Sequence, residues 1–224
     1  MNIVRELVQH ETMRSDCFRF LSACFCQPQK SLFLDERLLN NLTNNLKLIS
    51  PGAAVFSAAM EENILQYSDE DLSVEYARLF IGPFEIKAPP YGSLYLDGTR
   101  KVMGDSTMEV IRFYEEAGLA SNKDCPDLPD HIAVELEFMS YLIYNETQAM
   151  KKSDIKTALE LINKQERFFN GFLGRWATAF CEKIRESTDN RFYAALAECT
   201  LSFIRSFHPD HVRKAIEDQV VGAI

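Results

Sequence analysis

Several signatures that would announce an enzyme are missing from this chain. There is no Gly-x-Gly-x-x-Gly and no Gly-x-x-x-x-Gly-Lys-Ser/Thr, so neither of the usual glycine-rich phosphate cradles is present. Gly-x-Ser-x-Gly and His-Glu-x-x-His are also absent, which removes the nucleophile elbow and the helical zinc-protease motif. The six cysteines form no Cys-x-x-Cys pair. They read as small buried filler in a reducing compartment. His208 and His211 form one His-x-x-His beside Pro209, but a metal needs further ligands and the sequence offers no obvious set. The longest uncharged run, Leu48 to Met60, has thirteen residues and includes Pro51 and Gly52, too short and too interrupted to span a bilayer. There is one tryptophan in 224 residues.

Charge narrows the partners. Thirty-three acids against 24 bases give a net charge of −9, which disfavours a phosphate backbone as ligand and suits either solubility or a cationic partner. The N-terminus, MNIVRELVQHETMRSD, places acids among its apolar residues and lacks the basic-then-apolar layout of a secretory signal. The expectation is a cytoplasmic protein.

Almost everything else reads as helix. Leu7, Met13, Cys17, Phe20, Leu21 and Cys24 fit one apolar face that Pro28 closes. The pattern predicts further helices near 35–48, 52–66 and 69–81, the last stopped by Gly82-Pro83. Ser106 and Glu109 have the spacing of a capping box for a helix that Gly118 ends. Another helix carries Ile132, Leu136, Met139 and Ile143 on one stripe. Helices near 153–170, 172–186, 188–206 and 209–221 complete the chain, with Gly171 and Gly174 marking a bend or break. Phe168, Phe169, Phe172 and Trp176 cluster there as core. The expected fold is all-α, one globular multi-helix bundle over residues 1–224. The stretch 121–129 is a possible hinge between N- and C-terminal halves, so a monomer or a domain-swapped dimer is compatible with it.

The punctuation is concentrated in one place. Residues 82–129 hold five of the eight prolines and five of the nine glycines. At its centre, KAPPYGSLYLDGTRKVMGDST (87–107) reads as a segment that cannot be helical. Structureless loops of this length inside a helical body usually bind something. Pro89 and Pro90 keep the backbone extended, so Tyr91 and Tyr95 can be displayed as rigid anchors with a polar tip or can pin the loop to the core. Downstream, Asp130-His131 is the one carboxylate–imidazole neighbour pair that stands out. Asp130 reads as the N-cap of a helix starting at His131. A second reading, compatible with the first, makes Asp130, His131 and Glu135 an acidic, hydrogen-bonding lip facing the loop. Arginine suits such a lip because its planar fork binds carboxylates bidentately. Two rivals remain: a hydrolase built on Asp130 and His131, and a helical adaptor without a peptide groove. The adaptor requires the Tyr91 and Tyr95 rings to be buried.

The order EYARLFIGP (75–83), APPYGSLYLDG (88–98), GDSTMEVIRFYEEAGL (104–119) and PDHIAVELEFM (129–139) resembles the TorD/DmsD family of redox-enzyme maturation chaperones, and DmsD-like members most closely. The likeness continues more weakly through FLGRWATAF (172–180) and FYAALAECTLSFI (192–204), and covers most of the chain from about residue 70. It implies an all-helical chaperone without catalytic activity and without a cofactor of its own. Such a protein would bind the twin-arginine signal peptide and the apo body of a molybdopterin-containing oxidoreductase. It would thereby assist cofactor insertion and prevent premature export of enzymes such as dimethyl sulfoxide or trimethylamine N-oxide reductases. The family's peptide-binding region, carried over residue by residue, nominates Leu79, Phe80, Pro83, Pro90, Tyr91, Ser93, Tyr95, Asp130 and His131, with Glu135 one turn further on. DmsD-like members place tryptophan where this chain has Tyr91, a change that keeps a flat face and adds a hydroxyl. Guanine nucleotide binding has been proposed in the family, and no phosphate motif for it stands in this sequence.

Overall fold

The computed structural model describes residues 2–83, 85–98, 101–119 and 127–221. Its elements are α1 (Asn2–Cys24), α2 (Lys30–Leu34), α3 (Leu38–Ile49), α4 (Pro51–Asn63), α5 (Asp69–Tyr76), α6 (Ser93–Leu96), α7 (Asp105–Glu116), α8 (Ile132–Lys151), α9 (Ile155–Phe168), α10 (Gly174–Ser187), α11 (Arg191–Arg205) and α12 (Asp210–Val221). No strand occurs among the described residues, only an isolated antiparallel bridge between Tyr91 and His131. The all-α expectation holds.

Local chemistry sets the boundaries. Pro51 opens α4, where its fixed φ suits the first helical turn and its missing N–H is not needed. Ser68 and Asp71 form a reciprocal capping box at α5. Asp154 and Asn190 accept the first backbone N–H groups of α9 and α11. The helical run expected over 69–81 is present: α5 continues into a wider helical turn over Ala77–Ile81 that ends where Gly82 takes φ 85°, a left-handed value that favours glycine. Likewise Gly171 and Gly174 do not break the chain: α9 passes into α10 through a widened turn at Phe169–Leu173, so 155–187 is one uninterrupted helical run. The proposed capping box at Ser106 and Glu109 is also absent. α7 starts one residue earlier, at Asp105, and the carboxylate of Asp97 reaches across to accept the Ser106 N–H at 3.3 Å.

Helices before and after the proline-rich stretch share one core. α1 lies along α8, α4 along α11, and α3 packs on both α1 and α4. Aromatic contacts cross the same divide, Phe18 on Phe203, Phe25 on Phe180 and Phe33 on Phe192. Phe168, Phe172 and Trp176 are buried as expected, and Phe169 packs against the cluster edge. Cys17, Cys24, Cys181 and Cys199 are buried and free, while Cys26 is exposed. A smaller cluster joins Val212 and Ile216 of α12 to Ala149, Met150, Ala158 and Ile162. Residues 121–126 of the possible hinge, Cys125 among them, lie outside the described residues.

Candidate functional site

The candidate residues converge where the 82–98 segment meets α8 and α10. After Gly82 the chain doubles back, and the Ala88 N–H donates to the Leu79 carbonyl at 2.9 Å. Pro89 and Pro90 then bring it alongside the start of α8. The Ile132 N–H donates to the Pro90 carbonyl and the Gly92 N–H to the Asp130 carbonyl, both at 2.8 Å. Proline lacks a donor but keeps its acceptor, so this short bridge uses the one group Pro90 can offer. Immediately after it the supposedly non-helical loop forms a single helical turn, α6.

Asp130 does not cap its own helix. Its Oδ2 accepts the Ser93 N–H at 2.9 Å and so caps α6 from across the chain. The N-cap of α8 is His131, whose Nδ1 accepts the Ala133 N–H at 3.2 Å. An accepting Nδ1 requires the neutral ring with its proton on Nε2. Burial favours the same form, holding the imidazole below its ordinary range although Asp127 and Asp130 pull the other way.

Glu135, one turn along α8, is fully buried and accepts the Trp176 indole N–H at 3.0 Å. Burial pushes its carboxyl well above the usual carboxylate range, and Asp130 adds to the rise. Gly92 fills the gap above: a Cβ there would stand 2.9 Å from Trp176 Nε1 and 3.2 Å from Glu135 Oε1. Only a residue without a side chain lets the loop close on this pair. Tyr95 completes the clamp. Its ring stacks on Trp176 at 5.4 Å and 28°, and its hydroxyl donates to the Pro89 carbonyl at 2.9 Å.

The acidic lip is therefore not a lip. Asp130, His131 and Glu135 are 1%, 3% and 0% exposed and lie beneath the loop, because the two backbone bonds of the bridge seal it over them. Three buried oxygens in this corner, Ser93 Oγ, Asp130 Oδ1 and Glu135 Oε1, have no hydrogen-bond partner among the described residues. Leu79 and Phe80 are core residues, and Phe80 packs on Phe25, Tyr76, Phe180 and Tyr193. Pro90 and Ser93 are buried, Pro83 is exposed, and Tyr91 and Tyr95 are half-exposed. The Tyr91 ring meets His131 edge-on at 5.3 Å. Thus the outer surface of the junction is aromatic, and its floor is rich in acceptors.

Sequence reasoning missed Gly92, Asp97 and the pairing of Trp176 with Glu135. The single tryptophan and a glycine between Tyr91 and Ser93 were the available signals; their partners lie 41 and more residues away. No group of three or more His, Cys, Asp or Glu able to hold a metal occurs among the described residues, and no helix among them is long and apolar enough to cross a membrane. A cavity of about 390 Å³ lies between α1 and α8, lined by residues that include Asp16, Glu137, Tyr141 and Tyr144, and takes in none of the candidate residues.

Comparison with known proteins decides the family. The model of the nitrate reductase delta subunit family matches residues 47–182. The chain belongs to that family. Its curated relatives carry the chaperone names expected of the TorD/DmsD group. A chaperone protein TorD from Aliivibrio salmonicida is 24% identical over 208 residues, covering 90% of this chain and 95% of the relative. A probable Tat proofreading chaperone DmsD from Haemophilus influenzae is 27% identical over 141 residues, covering 63% of this chain and 62% of the relative. These names are those of chaperones, not catalysts. The fold resembles the crystal structure of a putative redox enzyme maturation protein from Archaeoglobus fulgidus, with a TM-score of 0.54 at 23% identity, over 85% of this chain and 93% of that one.

Proposed function

We propose that this delta-subunit family member is a cytoplasmic chaperone that binds the twin-arginine signal peptide, and the apo body, of a molybdopterin-containing oxidoreductase. It holds that client until its cofactor is inserted and so delays export. The peptide docks on the junction of the 82–98 segment with the start of α8 and with α10. Tyr91 and Tyr95 present rings to it, and Pro83 flanks them. Leu79, Phe80, Pro90 and Ser93 hold the platform in shape, while Asp130 supplies negative potential from below, beside the neutral His131 and the buried carboxyl of Glu135. The whole chain acts as one domain, with the core shared between N- and C-terminal helices in support.

The observation that carries this reading is the acceptor excess under a half-exposed aromatic surface: Ser93 Oγ, Asp130 Oδ1 and Glu135 Oε1 without partners, roofed by Tyr91 and Tyr95. Unmatched buried acceptors are costly, and a guanidinium brings five donors in a planar fork. The hydrolase reading fares worse. Asp130 Oδ2 is engaged by the Ser93 N–H and His131 Nδ1 by its own helix. The Ser93 hydroxyl bonds to neither, so no nucleophile–base hydrogen bond exists there. The adaptor reading requires buried Tyr91 and Tyr95 rings, and neither is fully buried, although Tyr95 packs against the core.

Calorimetric titration with twin-arginine signal peptides of the molybdoenzymes from the same genome tests the proposal, with a lysine-pair version of each as control. Saturable binding at micromolar or tighter, roughly −8 to −10 kcal/mol, weakened by the lysine exchange, is the expected result. Failure of every peptide to bind would sink it.

A further inference from the structure

Tyr95 is held between a tryptophan and a lysine of one helix. Trp176 and Lys183 stand seven residues apart on α10, close to two full turns and roughly 10.5 Å along the axis, so they share a face. The Tyr95 centroid lies 5.4 Å from the Trp176 ring, and Lys183 Nζ lies 4.9 Å from that centroid. The ring is thus contacted by Trp176, which is fully buried, and by the ammonium of Lys183, which is exposed, so the face under Lys183 is its outer one.

No carboxylate pairs with Lys183 among the described residues. Nearby charges are engaged elsewhere, Arg185 with Glu198 and Glu182 with Arg205. An ammonium on a solvent-facing ring is a weak contact, because it gives up strong hydration to reach the π face. A guanidinium is less strongly hydrated, flat, and able to stack on the ring. The outer face of Tyr95 is thus a cation seat filled by the weaker of the two natural side-chain cations.

We propose that Lys183 is an internal stand-in for a client arginine, and that the outer face of Tyr95 is a guanidinium seat that selects arginine over lysine. This rests on the peptide-docking reading and adds to it a selecting residue and an exchange step: the client's guanidinium displaces the Lys183 ammonium, which returns to water.

The probes are a synthetic twin-arginine peptide without tryptophan and its lysine-pair version, titrated into wild type, Lys183→Met, Lys183→Arg and Tyr95→Leu. Trp176 is the only tryptophan in the chain, so its emission reports directly on the Tyr95 stack. Lys183→Met is expected to bind the arginine peptide about twofold to fivefold tighter, the scale of one exposed cation–π contact. Lys183→Arg, a better internal plug of the same charge, is expected to bind it more weakly than wild type. A general charge effect would tighten Lys183→Met for both peptides alike and leave Lys183→Arg unchanged; that pattern overturns the inference. Tyr95→Leu is expected to lose both the emission change and the preference for arginine. If wild type binds while both Lys183 variants stay within about twofold of it, below one contact's worth, this inference fails and the docking reading survives. If no variant binds either peptide, both fall together.

Discussion

Two buried carboxyl groups lie on α8, eleven residues and roughly 16 Å apart, in opposite kinds of company. Glu146, toward the C-terminal end, belongs to a network that contains a cation, although its own Oε1 and Arg14 Nε make no hydrogen bond among the described residues. Arg14 of α1 stands 3.7 Å from it and pairs with Glu11 as well. Gln165 of α9 donates to Glu146 and accepts from Arg14 at 2.8 Å, and the Arg14 guanidinium lies over Phe207 at 5.1 Å. Glu135, near the N-terminal end, meets one indole N–H and has no cation beside it. The difference is the one the docking proposal uses. Where the fold itself needs buried acids, it supplies the cation from α1. At the junction it leaves acceptors unmatched under a half-exposed aromatic roof, the condition expected where a partner brings the cation.

Breaking the Glu146 network should have the largest effect. Arg14→Ala leaves Glu11 and Glu146 buried without their cation and should cost about 3–5 kcal/mol, read as a large drop in Tm at pH 7. At the junction, Asp130→Ala should weaken the twin-arginine peptide by about 2–5 kcal/mol in calorimetry while lowering stability by only about 1 kcal/mol, the scale of a lost helix cap at α6. A folded Asp130→Ala protein that bound peptide like wild type would remove the acidic floor from the account. Gly92→Ala pushes a methyl group against Trp176 and Glu135 and should cost about 1–3 kcal/mol, with an altered Trp176 emission showing that the clamp has opened.

Much of this was legible in the sequence, and the failures have physical reasons. Periodicity found the helices because burial on one face demands it, as the stripe Leu72, Tyr76, Leu79 and Phe80 shows. It could not see that Gly171 and Gly174 let a helix widen rather than end. The residues that meet at the junction stood out in the sequence because prolines, glycines and tyrosines are concentrated there. Its internal wiring was not legible. Asp130 and Ser106 both sit at helix starts in positions that favour capping, yet each capping bond is made across the chain, Asp130 to Ser93 and Asp97 to Ser106. Those bonds depend on tertiary approach, which spacing along one helix does not encode.

The smallest effect sharpens the same comparison through pH. Burial, with the charge of Glu11 adding to it, lifts Glu146 from an ordinary 4.5 to about 8, against the pull of Arg14 and Gln165. Between those values the folded chain holds a proton that the unfolded chain releases, so this contribution to stability is full below about 4.5 and fades as pH rises to about 8. Glu146→Gln should flatten that part of the Tm–pH curve without altering peptide binding.

The most direct test of where the client binds is amide hydrogen exchange of wild-type protein with and without a saturating twin-arginine peptide. The account predicts slowed exchange at 88–97 and 128–135 and no change along α1 or the C-terminal half of α8. Protection confined to residues 12–19 and 137–147, around the cavity between α1 and α8, would contradict it.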